Sequence, residues 1–170
     1  MQGLANTYVR VVDRLSGYVG IASMYLIFLM VGILLLDAIT RNVIEIPLHW
    51  CIEAAQFTLT AYYFTGGAMT IRDNDHARMD LLYEKLSDRG KARLDLVTAL
   101  CLLFYLGVLM FGAVSSTTYA IQTGETRFSM WNPSMIPIKV LMCACIVLMI
   151  LQTISEILKD IATLRGISRA

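Results

Sequence analysis

Four long apolar segments constrain this sequence more than any other feature. A helix needs about 20 apolar residues to cross the roughly 30 Å of hydrocarbon in a bilayer. Four segments meet that length, with charged or proline-containing stretches between them, at residues 15–36, 52–71, 96–123 and 136–158. Only 16% of the 170 residues are charged and 57% are apolar, which leaves no polar face for the helices of a soluble bundle. The sequence predicts an all-α integral membrane protein, a single four-helix bundle.

The first apolar segment is interpreted as a retained span. Arg10 and Arg14 precede it and resemble the positive end of a signal peptide. However, residues 15–36 form 22 uncharged positions, whereas the apolar part of a signal peptide has about 7–15. The third helix is expected to start before its apolar part, near Ser87 or Asp88, because a capping residue stands there.

The distribution of lysine and arginine predicts the orientation. Eleven of the 14 basic residues lie before the first segment, between the second and third, or after the fourth. Only Arg41, Arg127 and Lys139 fall in the other two connections, and Trp50 and Trp131 lie there as well. Basic residues stay on the cytoplasmic side and tryptophans favour the headgroup region. Both termini are therefore predicted to be cytoplasmic.

The interiors of the four segments carry no ionisable residue. A transporter needs a charged or titratable group near the bilayer midplane to bind its ion or substrate. This argues against a small multidrug exporter, which uses a membrane-embedded carboxylate. His49 and His76 are expected on opposite sides of the membrane, so they cannot ligate one haem. No catalytic motif and no strongly basic region for nucleic acid is found, and no cofactor is predicted in this chain.

Small and polar residues form a stripe along three of the segments, at positions that share one helix face. Such a stripe is either an internal contact of the bundle or a docking face for another protein, and both interpretations stay open here. The stripes comprise Ser16, Gly20 and Ser23; Glu53, Gln56, Thr60 and Gly67; and Gly107, Ser115, Thr118 and Gln122.

The connection between the second and third segments, residues 72–86, mixes charged and apolar residues. Met79, Leu82, Tyr83 and Leu86 recur at helical spacing. This pattern predicts an amphipathic helix lying on the cytoplasmic membrane surface. An ordinary solvated loop is the alternative.

Several short motifs occur in order along nearly the whole chain. They are Trp50 and Glu53 as Trp-x-x-Glu, Gly66-Gly67-Ala68, Arg72, His76-Ala77-Arg78-Met79-Asp80-Leu81-Leu82, Leu86-Ser87-Asp88-Arg89, Gly124-Glu125, and Trp131-Asn132-Pro133 with Pro137. Together with the four segments, this pattern resembles the small membrane subunit of tripartite ATP-independent periplasmic (TRAP) transporters.

The resemblance implies a multi-pass protein of the bacterial inner membrane. In that family a periplasmic binding protein captures an organic acid and delivers it to a permease of two membrane subunits, driven by a sodium gradient. The large subunit holds the substrate and sodium sites and moves as an elevator, while the small subunit broadens the fixed scaffold. The expected partners are thus the large TRAP membrane subunit, the periplasmic substrate-binding protein and membrane lipids.

No residue is expected to be catalytic or to bind a metal, and the candidate site residues are assigned to folding or subunit contact. They are Trp50, Glu53, Gln56, Arg72, His76, Arg78, Asp80, Glu125 and Trp131. Glu53 in particular is expected to find a partner within this bundle or on the large subunit, because a carboxylate facing lipid is costly. The alternative function is a stand-alone four-helix membrane protein, either a homo-oligomeric transporter or a structural anchor.

Overall fold

A computed structural model describes residues 2–46, 48–73 and 88–164 of the chain. They form four α-helices: α1 (Gln2–Ile39), α2 (His49–Arg72), α3 (Asp88–Thr123) and α4 (Ile136–Leu164). A π-helical turn, Thr40–Ile44, follows α1. Within these ranges the only β-type pairing is an isolated bridge between Thr126 and Ser134. The all-α prediction is confirmed.

The helices contain the four predicted segments, and three of them extend well beyond a membrane's thickness. At about 1.5 Å per residue, the 38 residues of α1 span roughly 57 Å. Over the described residues α1, α3 and α4 are long and apolar enough to cross a bilayer, whereas α2 is not among them. Tyrosine, threonine, glycine and Gln56 dilute its apolar character. The crossing of the membrane by α2 therefore remains a prediction.

The packing of α2 gives a reason for this composition. It lies against α1 along its length and also against α4, while α3 packs on α4. Helices α1, α2 and α4 thus form a three-helix core with α3 on the side of α4. Most of α2 is buried or half-buried, whereas more than half of residues 7–39 of α1 are exposed, so α2 presents less surface to lipid and can carry more polar residues.

The start of α1 and the end of α4 lie at the same end of the bundle. The Tyr8 hydroxyl near the start of α1 donates to the backbone oxygen of Leu151 in α4 at 3.1 Å. We call this the terminal end, marked by Asp13, Arg72 and Lys159, and call the opposite end, with residues 40–46 and 124–135, the loop end. Which side of the membrane each end faces remains a prediction.

Small and polar residues lie between the helices, and large apolar residues point outward. Ser16 and Ser23 of α1 are buried, whereas Tyr25 and Phe28 of the same helix are exposed. This arrangement is the reverse of a soluble core and suits a lipid environment, where close approach of helices and not burial of large side chains drives association.

The connection between α3 and α4 is a short hairpin. Gly124 ends α3 with φ +60°, a left-handed conformation that glycine adopts without strain. The Arg127 amide donates to the Pro133 carbonyl at 3.0 Å, and the Met135 amide donates to the Glu125 carbonyl at 3.0 Å. These bonds close residues 125–135 into a defined loop-end structure.

The predicted amphipathic helix lies outside the described residues, which stop at Asp73 and resume at Asp88. His76, Arg78 and Asp80 fall in that interval, so their predicted roles are not tested here. Helix α3 is described from Asp88, where the described range resumes, so the expected start near Ser87 or Asp88 stays a prediction.

Candidate functional site

One buried side chain organises the terminal end of the bundle. Gln152 of α4 is 0% exposed, and its Oε1 accepts a hydrogen bond from Ser16 Oγ at 2.7 Å. Its Nε2 donates to Asp13 Oδ1 at 2.8 Å and to Glu156 Oε1 at 3.1 Å. The amide thus uses its oxygen and its two N–H groups. It joins α1 to α4 where both are close together.

A charged cluster surrounds this amide. Lys159 Nζ lies 2.8 Å from Asp13 Oδ2 and 2.7 Å from Glu156 Oε1. Ser155 Oγ donates to Asp13 Oδ1 at 3.4 Å. The two carboxylates share the Lys159 ammonium, and neutral donors from Gln152 and Ser155 complete their hydrogen bonds in this partly buried site.

Arg72 connects α2 to the same cluster. Its Nη1 donates to the backbone oxygen of Asp13 at 3.1 Å, while Nε and Nη2 reach the Asp73 carboxylate at 2.7 and 3.2 Å. The hydrogen bond to Asp73 raises the pKa of Arg72, burial opposes this, and the charges of Asp73, Asp13 and Glu156 raise it further. Arg72 therefore stays charged and holds the end of α2 on α1.

The sequence analysis identified Arg72 and Ser16 but missed the rest of this cluster. Gln152, Ser155, Glu156 and Lys159 follow one another at spacings of three, one and three residues, so they occupy one face of α4. A polar face at the end of an otherwise apolar helix was the sequence feature that could have indicated this cluster. Its donors and acceptors are used within the chain, so the cluster ties helices together and offers no ligand site.

The loop end contains two carboxylates of a different kind. Glu53 is 8% exposed, and its Oε2 has no hydrogen-bond partner among the described residues. Asp37 accepts from Arg41 Nη2 at 3.1 Å through one oxygen, while its buried Oδ1 is also without a partner within the described ranges. A buried acceptor without a donor is costly. Each of the two carboxylates therefore has one buried oxygen to which the described residues supply no donor.

The other candidate residues near the loop end differ in their surroundings. Trp50 and Gln56 are exposed on α2, and Trp131 is exposed in the hairpin. Glu125 pairs with Lys139 Nζ at 2.5 Å, so it ties the hairpin to the start of α4. A role in subunit contact remains a prediction for each of these residues.

The three small-residue stripes differ in what they contact. On α1, Ser16 and Ser23 are buried, and Ser23 Oγ donates to the Tyr62 carbonyl at 3.2 Å. On α2, Gly67 lies against Met149 of α4. These positions are internal contacts of the bundle.

The stripe on α3 faces outward instead. Its four residues are exposed, and those that α3 buries lie on another face, toward α4. The exposed stripe comprises Gly107, Ser115, Thr118 and Gln122, and the buried face comprises Leu106, Ala113, Thr117 and Ala120. The α3 stripe is therefore a candidate docking face, one of the two interpretations left open above.

An open notch of about 290 Å³ lies between α1, α2 and α4 near the loop end. Its lining contains no charged side chain, and so it offers nothing to neutralise an organic acid. The lining residues are Leu26, Phe57, Thr58, Ala61, Pro137, Ile138 and Leu141. Among the residues that the structure describes, no group of three or more His, Cys, Asp or Glu is placed to hold a metal ion.

Comparison with known proteins identifies a family. The model described as "Tripartite ATP-independent periplasmic transporters, DctQ component" matches residues 30–163. The match covers all of α2 and α3, nearly all of α4 and the last part of α1. No curated protein and no solved structure shows significant similarity to the chain.

Proposed function

Because this chain belongs to the DctQ family of tripartite ATP-independent periplasmic transporter components, we propose that it scaffolds a large membrane subunit during sodium-driven uptake of an organic acid. The match over residues 30–163 carries the proposal. The family is one of transport components and not of enzymes. The substrate is delivered by a periplasmic binding protein, and the chain resides in the bacterial inner membrane with both termini in the cytoplasm.

The distribution of charge supports a scaffold role. The ion pairs of the described helices lie at the two ends of the bundle, around Asp13 and Lys159 and around Glu125 and Lys139. Between them, the hydroxyls of the described helices donate to backbone carbonyls of the same or a neighbouring helix, and no break in the middle of these described helices frees a group of carbonyls to coordinate a sodium ion. Substrate and sodium are therefore assigned to the large subunit, which moves against the helices described here.

Two features support particular contacts with that partner. At the loop end Glu53 Oε2 and Asp37 Oδ1 have no donor among the described residues, and a hydrogen-bond donor or cation of the large subunit packed against these side chains would compensate them. The exposed α3 stripe offers small residues that permit close helix approach. We assign both to the interface with the large subunit.

The substitution Glu53→Gln tests the first contact, with Glu45→Gln as its matched control. Glu45 is also at the loop end but is exposed. Both changes remove one negative charge and keep the side-chain volume. We expect Glu53→Gln to lower the amount of large subunit that co-purifies with the tagged chain, and Glu45→Gln to leave it unchanged.

The stability of the isolated chain separates folding from assembly. Because Glu53→Gln removes an uncompensated buried charge, the variant chain should unfold no more easily than the original in detergent. If the variant retains full co-purification and transport, Glu53 is not a subunit contact.

Transport by reconstituted proteins tests the function as a whole. We expect sodium-dependent uptake in proteoliposomes only when the chain, the large subunit and the binding protein are all present. Uptake by the chain alone, together with a symmetric homo-oligomer on purification, would instead establish the stand-alone transporter.

A further inference from the structure

The hairpin between α3 and α4 presents large apolar side chains away from the protein. Phe128 is fully exposed, Met130 is 82% exposed and Trp131 is 48% exposed. All three lie between the bridged residues Thr126 and Ser134, at the tip of the hairpin. Exposure of such side chains to water is unfavourable, and they favour an apolar or interfacial environment.

The hairpin is held in this conformation by several contacts. A backbone hydrogen bond from Arg127 to Pro133 joins the two arms of the hairpin. The backbone amide of Asn132 donates to Ser129 Oγ at 3.1 Å. The ion pair between Glu125 and Lys139 attaches its base to α4. The apolar tip is therefore a built feature of the loop end.

The length of the hairpin keeps its tip close to the bilayer. From the bridge at Thr126 the tip is about three residues away, roughly 10 Å at the extended rise of 3.3 Å per residue. The helices on both sides, α3 and α4, are long and apolar enough to cross the membrane. Each headgroup layer is about 5–8 Å thick, so the hairpin is long enough for its tip to reach this layer from the ends of α3 and α4 when it tilts toward the bilayer.

The charge of Arg127 also favours a position of the hairpin at the membrane interface. Arg127 is exposed and precedes Phe128, and it forms no ion pair with a described residue. An arginine beside an aromatic and an apolar side chain suits the interface, where the guanidinium meets lipid phosphates and the neighbouring side chains enter the acyl boundary.

We infer that residues 126–134 form an interfacial anchor, which inserts Phe128 and Met130 into the membrane leaflet at the loop end and places Arg127 on anionic lipid headgroups. The anchor would hold the start of α4 and the end of α3 at a set depth. This inference requires that α3 and α4 cross the membrane, and it does not depend on the identity of the transported substrate.

Photo-crosslinking in the assembled complex tests the anchor. Phe128 is replaced by p-benzoylphenylalanine, and the complex is reconstituted in vesicles of phosphatidylethanolamine and phosphatidylglycerol. The same replacement at Phe28, which is 71% exposed in the middle of the apolar part of α1, shows that the reagent reacts in the bilayer. After irradiation, mass spectrometry of this chain distinguishes lipid adducts from protein adducts.

We expect mainly phospholipid adducts at position 128, with and without the binding protein. Adding Arg127→Gln should lower the ratio of phosphatidylglycerol to phosphatidylethanolamine adducts roughly fivefold, the effect of one basic residue near an anionic surface. An adduct with the large subunit or the binding protein would overturn the inference. So would lipid adducts at position 28 with no adduct at position 128. Failure of the large subunit to co-purify would refute the proposed function alone.

Discussion

Helices α1 and α2 approach each other closely at Gly20. A Cβ atom placed on Gly20 would lie 2.7 Å from Cβ and 2.8 Å from Cγ of Met69, and closer still to its sulfur. The sulfur can rotate away, but Met69 Cβ moves only with the α2 backbone. The substitution Gly20→Ala therefore forces the two helices apart.

The size of this effect follows from the distances. Carbon atoms pack at about 3.5–4.0 Å, so the helices must separate by about 1 Å at this level. The bond from Ser23 to Tyr62, 3.2 Å long, would then exceed hydrogen-bonding distance. Overpacking costs about 1–3 kcal/mol, the lost bond adds about 0.6 kcal/mol, and alanine in place of glycine returns about 1 kcal/mol of helix propensity. The expected net loss is about 1–2 kcal/mol.

Reversible unfolding measures this loss. The full chain in dodecyl maltoside micelles is titrated with SDS, and its helix content is followed by circular dichroism. Gly32→Ala is the matched control, because it makes the same change on the same helix at a position where a Cβ meets nothing within 4 Å. We expect Gly32→Ala to be as stable as the original chain or more stable. If Gly20→Ala unfolds at the same SDS fraction as Gly32→Ala, the close contact between α1 and α2 is refuted.

Three further predictions use the same unfolding assay. Gln152→Leu keeps the side-chain volume but leaves buried polar neighbours without partners, so it should lower the free energy of unfolding by about 1–3 kcal/mol. The control Gln122→Leu, at an exposed position, should leave the free energy of unfolding unchanged, and equal effects of the two substitutions would contradict the hydrogen-bond network around Gln152. Arg72→Gln should cost about 1–2 kcal/mol by releasing the end of α2, and full stability of this variant would show that the contact does not form. A double-mutant cycle on Glu125 and Lys139 should give a coupling of about 0.2–1 kcal/mol, since the pair is partly exposed; zero coupling would argue against a tie between hairpin and helix.

The family assignment depended mainly on sequence order. The Trp-x-x-Glu motif at Trp50 and Glu53, the Gly66-Gly67-Ala68 stretch and the four apolar segments could be recognised without coordinates, and the family match over residues 30–163 confirms the assignment. The exclusion of charge from the segment interiors was also visible in the sequence, because a charge within hydrocarbon is so costly that its absence is informative.

The candidate contacts were less accessible to sequence reasoning. The stripes on α1 and α3 have similar composition, yet Ser16 and Ser23 are buried while Ser115 and Thr118 are exposed. Helical periodicity defines which residues share a face, but it contains no information about which face meets another helix. Gln152 was missed for the same reason, because its partner Ser16 lies 136 positions away.

The sequence alone determined that this chain forms long apolar helices suited to a bilayer, since segment length and hydrophobicity are local properties that need no partner. The tertiary structure decided which polar groups compensate one another and which have no partner among the described residues. Asp13, Gln152 and Lys159 complete one network at the terminal end, whereas Glu53 at the loop end has no donor among the described residues. That difference arises from the distances between helices, which depend on packing between residues far apart in the chain.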